Sequence, residues 1–146
     1  DCTKGPWLAH KASAEGVRAI KAILGQKLPA FPAVPMCIYT SPQIASIGIS
    51  EIQAKEMNIE VKIVRGHFLA NGKAVAIKEP VGMVKLIISN ETGEILGAHM
   101  IGHEVTELIG LIALGMQLEA LPQDFMQTIF PHPTLSEIIY ETMLEA

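Results

Sequence analysis

The residues best suited to acid–base chemistry lie in the stretch FPHPTLSE, Phe130 to Glu137. An imidazole has an ordinary pKa of about 6.5, so it exchanges protons at neutral pH more readily than any other side chain. Pro131 fixes the backbone before His132, and Pro133 restricts His132 itself to extended conformations, which aims the ring. Glu137 lies where the first turn of a following helix would return it towards that ring. A carboxylate there would set the tautomer of the imidazole and stabilise its protonated form.

The same segment also fits a purely structural role. Thr134-Leu135-Ser136-Glu137 matches the S/T-x-x-E capping box, in which the glutamate bonds only to backbone at the start of a helix. Spacing alone favours this cap, because short motifs often match by chance. From the residues themselves, both a catalytic pair and a helix cap stay open.

A metal site built from His99, His103 and His132 is not expected. His99 falls in a predicted strand and Gly102 breaks the path to His103, so the helical H-x3-H geometry is missing. Neither a HExxH pair nor a CxxC pair is present to support such a site. We expect His99 to be a hydrogen-bonded strand residue and His103 to be exposed at the start of a helix.

Composition and motifs exclude several classes of partner. The net charge is -4 at pH 7 with no long basic run, which argues against nucleic acid. The longest apolar run, Leu108 to Met116, has nine residues, and a membrane span needs about 20. The two cysteines, Cys2 and Cys37, form no redox motif. No complete GxGxxG or GxxxxGK[ST] unit is present, so the chain alone is not expected to hold a dinucleotide.

The elements that must position the histidine predict an α+β fold, with a small, mainly antiparallel sheet and helices packed on it. The clearest feature is a hairpin whose strands flank the four-residue loop Asn90 to Gly93. A proline-rich linker, Leu28 to Pro35, separates this domain from an earlier helix. Strands are predicted at 36–40, 44–49, 60–68, 81–89 and 94–101, and helices at 8–24, 50–57 and 104–120, after Pro122, and from about 135.

The predicted helix between Glu104 and Ala120 is apolar nearly all round, which requires burial on most sides. Hydrophobic residues make up 49% of the chain, and the mean hydropathy is +0.34. A domain with a small sheet has few ways to enclose such a helix. We therefore expect a second subunit to cover one face of it, with Gly110 and Gly115 permitting close approach.

Four segments, in order, resemble the dihydrolipoamide dehydrogenase family of flavoprotein disulfide reductases. DCTKGPWLAHKA at 1–12 is similar to the end of the family's FAD domain, and TSPQIASIGISEIQAKE at 40–56 resembles the start of its interface domain. ILGAHMIGHEVTELI at 95–109 resembles its hairpin-to-helix passage, and HPTLSE at 132–137 its C-terminal active-site signature. Four ordered motifs at compatible spacing are much harder to obtain by chance than one.

The resemblance implies a division of the chain. Residues 1–32 would be the end of the FAD-binding domain and a linker, and residues 33–146 the C-terminal dimerisation domain of a homodimer. The chain carries neither the redox cysteine pair nor the dinucleotide-binding motifs of the whole enzyme. By itself it is expected to be inactive and to bind no cofactor.

The resemblance also implies roles for His132 and Glu137. In this family the histidine matching His132 is the general base, is paired with the glutamate matching Glu137, and enters the active site of the opposite subunit. It takes a proton from dihydrolipoamide carried by the acyltransferase subunit of a 2-oxo acid dehydrogenase complex. Electrons then pass through a redox disulfide to FAD and finally to NAD. The implied location is the cytoplasm of a bacterium or the mitochondrial matrix.

The first segment supplies the cofactor-binding residues that the resemblance implies. Asp1 matches an aspartate that contacts the FAD ribitol region, and Leu8, Ala9 and His10 match the stretch beside the flavin. The alternative is that these four residues only start and pack the first helix.

Two positions depart from the family's pattern. Trp7 stands where a methionine is common, and Phe130 stands where many members have a second histidine before the base. Two other functions also stay open. One is a stand-alone dimerisation module in which His132 is a turn residue, and the other is the interface domain of another disulfide reductase, such as glutathione or mercuric reductase.

Overall fold

The computed structural model describes every residue from Asp1 to Ala146 and divides the chain into two compact units. The first unit is Asp1–Val34 and the second is Pro35–Ala146. The boundary expected between residues 32 and 33 lies two residues before this division. The second unit contains the sheet and the segment with His132.

The first unit is built around one helix, α1, which runs from Ala9–Ile23 as its spacing of small and apolar residues predicts. Gly25 ends it in a left-handed conformation, with φ of +71°, which a glycine adopts without a steric penalty. The proline-rich stretch that follows forms no helix or strand. It is attached to α1 by Arg18, whose guanidinium donates to the carbonyl of Pro29 at 2.7 Å and lies 5.2 Å from the centre of the Phe31 ring.

The second unit is organised by an antiparallel sheet of five strands: β1 (Met36–Ile38), β2 (Gln43–Gly48), β3 (Val61–His67), β4 (Met83–Ser89) and β5 (Ile95–Gly102). Their order in the sheet is β1-β2-β5-β4-β3. The predicted hairpin is confirmed as β4 and β5, with a bulge between Ile87 and Ile88. Ser89 closes its loop, since its hydroxyl accepts a hydrogen bond from the Thr92 N–H at 3.1 Å.

The two faces of the sheet differ because side chains alternate along each strand. The helices of this unit are α2 (Glu51–Glu56), α3 (Gly72–Ala76), α4 (Val105–Gln117), α5 (Pro122–Gln127) and α6 (Glu137–Met143). One face of the sheet carries buried apolar residues and meets three of these helices, with α4 on β2 and β5, α6 on β3 and β4, and α5 against α6. The other face carries Arg65 and Lys85, which both donate to Glu51 of α2, at 2.7 and 3.0 Å.

The prediction for the region after β3 is incomplete. The strand expected to reach Phe68 ends at His67, and Phe68 instead begins a short 3-10 turn, Phe68–Ala70, with its ring fully buried. The helix α3 follows and is absent from the sequence prediction. Its signal is Asn71, since asparagine is a preferred residue just before a helix. The side-chain oxygen of Asn71 accepts from the Ala74 N–H at 3.0 Å.

The apolar helix α4 is buried on one side only within the chain. Ile112 is fully buried, whereas the opposite side leaves three leucines in contact with solvent. The role expected for Gly115 is wrong: a Cβ at this position would meet the ring of Phe125, so the glycine admits α5 rather than another subunit. A Cβ at Gly110 would meet nothing within 4 Å. The exposed leucines are Leu111, Leu114 and Leu118.

Candidate acid–base site before the last helix

The segment between α5 and α6 carries His132 and is anchored by the packing of α6. Helix α6 buries Ile138, Ile139, Thr142 and Met143. Its close approach to β3 depends on Gly66, because a Cβ there would collide with the Thr142 hydroxyl. The position of Glu137, the first residue of α6, is therefore set by the core of the domain. The Ser41–Pro42 and His132–Pro133 peptide bonds are both cis.

His132 and Glu137 are in direct contact. Nδ1 of His132 lies 2.9 Å from Oε1 of Glu137. Since the carboxylate can only accept, Nδ1 carries the proton in this pair and Nε2 is left as the acceptor nitrogen of the neutral ring. Nε2 makes no hydrogen bond within the chain, and the histidine side chain is 76% exposed, against 19% for the glutamate. The arrangement is an oriented imidazole whose basic nitrogen is open to a ligand.

Glu137 bonds to backbone as well as to His132, but it does not form the predicted capping box. Its second oxygen accepts from the Thr134 N–H at 2.8 Å. The other half of a capping box, in which the Thr134 hydroxyl would accept from the Glu137 N–H, does not form; the hydroxyl donates to the Pro131 carbonyl at 2.8 Å, and no side chain caps α6. The hydrogen bond from the Thr134 backbone lowers the pKa of Glu137, and the one from His132 lowers it further. The carboxylate is thus held in its charged form.

A second glutamate on α6 has the opposite environment. Glu141 lies one helical turn after Glu137, and its Oε2 is buried without a hydrogen-bond partner. Burial raises the pKa of Glu141, and the negative charge of Glu137 raises it further. Phe130, one of the two positions that depart from the resemblance, packs its ring against Tyr140 with centroids 6.1 Å apart.

Asn71 is a residue of the site that the sequence pattern does not reveal. It is 0% exposed, and besides capping α3 it donates through Nδ2 to the carbonyl of Thr134 at 3.1 Å. The two residues are 63 positions apart. Local spacing could identify the cap, but no local signal connects Asn71 to Thr134, because that contact arises only when β3 and α6 pack together.

The four expected cofactor residues lie at and before the start of α1. Leu8 is the residue before the helix, without a side-chain cap, and Ala9 and His10 form its first turn, while Asp1 is exposed at the start of the chain. The segment between them is held by Lys11, which is only 8% exposed. Its ammonium donates to the Thr3 hydroxyl and the Lys4 carbonyl, both at 3.1 Å, and to Glu15 at 2.7 Å.

Glu15 completes this second network near a helix start. Its other oxygen accepts from the Thr3 hydroxyl at 2.6 Å. The hydrogen bond from Lys11 lowers the pKa of Glu15, and the one from Thr3 adds to the effect. The sequence pattern gives no hint of this network, because threonine, lysine and glutamate at these positions are equally typical of an exposed helix surface.

The histidines at positions 99 and 103 lie outside the acid–base site of His132 and Glu137. His99 is a strand residue whose Nε2 is 3.1 Å from the Ile49 carbonyl, as expected, and His103 precedes α4 with Nε2 3.7 Å from Glu104. No group of three or more His, Cys, Asp or Glu residues is placed to hold a metal ion. None of the helices has the length and apolar character that crossing a membrane requires.

A groove of about 260 Å³ lies between the exposed side of α4 and helix α5. Apolar side chains dominate its lining, and Ile129, nearby in the chain, is 94% exposed. Its lining includes Leu111, Leu114, Leu118, Phe125 and Phe130.

Comparison with known proteins identifies the fold. Residues 34–143 match the family described as pyridine nucleotide-disulphide oxidoreductase, dimerisation domain. The chain is 48% identical to a dihydrolipoyl dehydrogenase of Rhizobium etli, covering 100% of this chain and 31% of that protein. It is 44% identical to the dihydrolipoyl dehydrogenase of Zymomonas mobilis, covering 100% and 32%. The crystal structure of LpdA from Mycobacterium tuberculosis superposes with a TM-score of 0.92 at 25% identity, over 99% of this chain and 32% of that one.

The chain therefore belongs to the dimerisation-domain family of the pyridine nucleotide-disulphide oxidoreductases. Its relatives in this family include flavoprotein dehydrogenases, and the predicted α+β fold is confirmed. The chain spans about a third of the length of the curated relatives it matches.

Proposed function

We propose that this chain is the interface domain of a dihydrolipoyl dehydrogenase and that it supplies His132 as the general base for thiol oxidation. The observation that carries the proposal is the hydrogen bond of 2.9 Å between His132 Nδ1 and Glu137, which leaves Nε2 exposed and unbonded. A base needs one nitrogen fixed by an orienting group and the other free for the proton it accepts.

The chemistry of the pair suits a thiol substrate. A thiol has an ordinary pKa of about 8.5, so it is mostly protonated at neutral pH and is a poor nucleophile until a base removes its proton. Nε2 of His132 takes that proton from dihydrolipoamide. The imidazole then carries a positive charge next to Glu137, whose pKa is lowered, so the charge that develops is stabilised where it forms.

The first unit offers residues that fit the edge of a flavin site. Leu8 leaves the start of α1 without a side-chain cap, and the N-terminal end of a helix favours electron-rich groups. In this proposal Leu8, Ala9 and His10 lie beside the flavin and Asp1 binds the ribitol region of FAD. When bound in the whole enzyme, FAD and NAD supply the electron and hydride transfer. The network around Lys11 keeps the preceding segment in place.

The partners follow from the same proposal. The exposed leucines of α4, with Leu118 at 69% exposure, form an apolar surface that a second copy of the chain would cover in a homodimer. His132 would then act in the active site of the opposite subunit. The thiol substrate would be carried by the acyltransferase subunit of a 2-oxo acid dehydrogenase complex, in the bacterial cytoplasm or the mitochondrial matrix.

The proposal is tested by His132→Gln in the full-length enzyme. We expect the rate of dihydrolipoamide oxidation to fall by roughly 10²- to 10⁴-fold, because the substrate thiol loses its base. Bound flavin and the dimer should be retained. The matched control is His103→Gln, since His103 is also next to a glutamate but outside the site. Full activity of the His132 variant would show that this residue is only part of a turn.

A further inference from the structure

We propose that Asn71 is a positioning residue for the base: it holds the backbone of Thr134, which holds Glu137, which orients His132. This inference rests on the proposed function of His132. It assigns a role in proton transfer to a side chain that lies in another part of the sequence and touches neither the imidazole nor the substrate.

Both polar atoms of the Asn71 amide are hydrogen-bonded, and the orientation of the amide is determined by its partners. The Ala74 N–H can only donate, so the atom facing it at 3.0 Å must be the carbonyl oxygen of the side chain. The amide nitrogen therefore faces the Thr134 carbonyl, at 3.1 Å. With 0% of the residue exposed, water cannot replace either partner.

The backbone of Thr134 is held on both sides by this arrangement. Its carbonyl accepts from Asn71, and its N–H donates to Oε2 of Glu137 at 2.8 Å. The other oxygen of Glu137 is the one 2.9 Å from His132. Without the donor on Asn71, the Thr134 backbone can rotate away, and Glu137 then loses one of the two partners that fix its carboxylate.

Capping of α3 does not by itself explain an asparagine at this position. A serine or an aspartate caps a helix equally well, because the cap needs only an acceptor oxygen. Ser50 does so for α2, where Gln53 completes a local capping box. What asparagine adds at position 71 is a donor on the same side chain, and that donor is used on the segment with the base.

Two variants of Asn71 in the full-length enzyme separate the loss of its amide donor from the loss of the α3 cap. Asn71→Asp keeps the acceptor for α3 and removes the donor. Asn71→Ser also keeps a cap, is too short to reach Thr134 and introduces no buried charge, so it carries the test if the aspartate variant fails to fold. Ser50→Ala is the matched control, because it removes a helix cap away from the site.

We expect kcat for dihydrolipoamide oxidation to fall roughly 10- to 100-fold in both Asn71 variants, because the base is misplaced. KM should change by no more than about twofold, since substrate binding is not altered. Reduction of an artificial dye by NADH reports the bound flavin and should stay at the wild-type rate. Ser50→Ala should lower the thermal midpoint without lowering kcat.

A double-mutant cycle gives the decisive readout. If Asn71 acts through Glu137, then Asn71→Ser should have little further effect on kcat in a Glu137→Gln background. Effects that multiply independently would overturn the inference, and so would an Asn71→Ser enzyme with wild-type kcat. Full activity of His132→Gln would instead refute the proposed function, so the two failures are distinguishable.

Discussion

Two glutamates in this chain, Glu15 and Glu137, have nearly the same pattern of hydrogen bonds but differ in their cationic partner. Glu15, in α1, accepts from Lys11 and Thr3 at 2.7 and 2.6 Å. Glu137, in α6, accepts from the Thr134 backbone at 2.8 Å and contacts His132 at 2.9 Å. In both networks each carboxylate oxygen has its own partner, and in both the pKa of the glutamate is lowered by these hydrogen bonds.

The difference lies in the cationic partner. Lys11 is 8% exposed and uses its ammonium on three acceptors. His132 is exposed, offers only one nitrogen to its glutamate and keeps the other unbonded. A carboxylate held by two donors thus stabilises a segment when its cationic partner is a lysine whose ammonium is already bonded to several acceptors. In the proposed function, the carboxylate that has a histidine partner with a free nitrogen supports proton transfer instead.

The largest expected effect comes from replacing Glu137 in the full-length enzyme, and a separate Glu15 variant serves as the comparison. We expect Glu137→Gln to lower kcat for dihydrolipoamide oxidation by roughly 10²-fold, because the imidazolium loses its stabilising charge. Glu15→Gln should instead lower the thermal midpoint, with the rate per bound flavin kept within about twofold. Equal losses of rate in both variants would mean that the two networks do not differ in kind.

A second test disturbs the packing that positions Glu137. We expect Gly66→Ala to destabilise the protein by about 1–3 kcal/mol, because the new methyl group must displace Thr142 and with it α6. The thermal midpoint measures this loss. Gly72→Ala is the matched control, since a Cβ there meets nothing within 4 Å, and it should change stability by no more than about 0.5 kcal/mol. Adding Thr142→Ala to the Gly66 variant should recover part of the loss; no recovery would contradict this explanation.

The third test concerns the structural network. Lys11→Met keeps most of the side-chain volume but removes the ammonium from Thr3, Lys4 and Glu15. We expect a loss of about 1 kcal/mol, read as a lower thermal midpoint. Lys21→Met, in the last turn of the same helix, controls for the loss of a positive charge. A midpoint no lower than that of the control would show that the network contributes little to stability.

The smallest effect is expected from Glu141, the glutamate of α6 without a donor. Its raised pKa means that the folded state holds the proton more tightly than the unfolded state. The stability from this group is present below the unfolded pKa of about 4.3 and is lost as the pH rises through the folded value. Glu141→Gln should therefore gain stability relative to the wild type between pH 4 and pH 7. Glu145→Gln, at an exposed position, controls for removing one charge, and a difference that does not change with pH would contradict the prediction.

The dependence of stability on pH has the opposite sign for Glu15 and Glu137. Because their pKa values are lowered, the stability they provide is present above about pH 4.3 and is lost as the pH falls through their folded values. Glu137 and Glu141 thus lie one turn apart on the same helix with pKa values shifted in opposite directions, one lowered by hydrogen-bond donors and the other raised by burial and the neighbouring charge.

The parts of the fold that could be predicted are those with a local pattern. Alternation of side chains and a polar four-residue loop identify the β4–β5 hairpin, and Ser50 marks the start of α2. The His132–Glu137 contact was also accessible to local reasoning, since the two residues are five positions apart. Spacing could not show that one glutamate serves both the ring and the backbone, because this depends on which oxygen meets which donor.

The parts that could not be predicted depend on contacts between distant residues. Helix α3 is short, and the second bond of its capping residue Asn71 reaches 63 positions along the chain. Which side of α4 is buried likewise depends on its packing against β2 and β5, and the close approach of Phe125 to Gly115 depends on where α5 lies. The periodicity of α4 alone, apolar nearly all round, could not distinguish the two sides.

The strand order leaves β1 and β3 at the open edges of the sheet, where unpaired backbone groups could recruit strands from other molecules. Each edge has a feature that opposes this. Strand β1 has only three residues and follows Pro35, which has no N–H to offer to a neighbouring strand. Strand β3 carries exposed charges at Lys62 and Arg65. These features would protect the newly made domain from edge-to-edge aggregation while the apolar side of α4 is still uncovered.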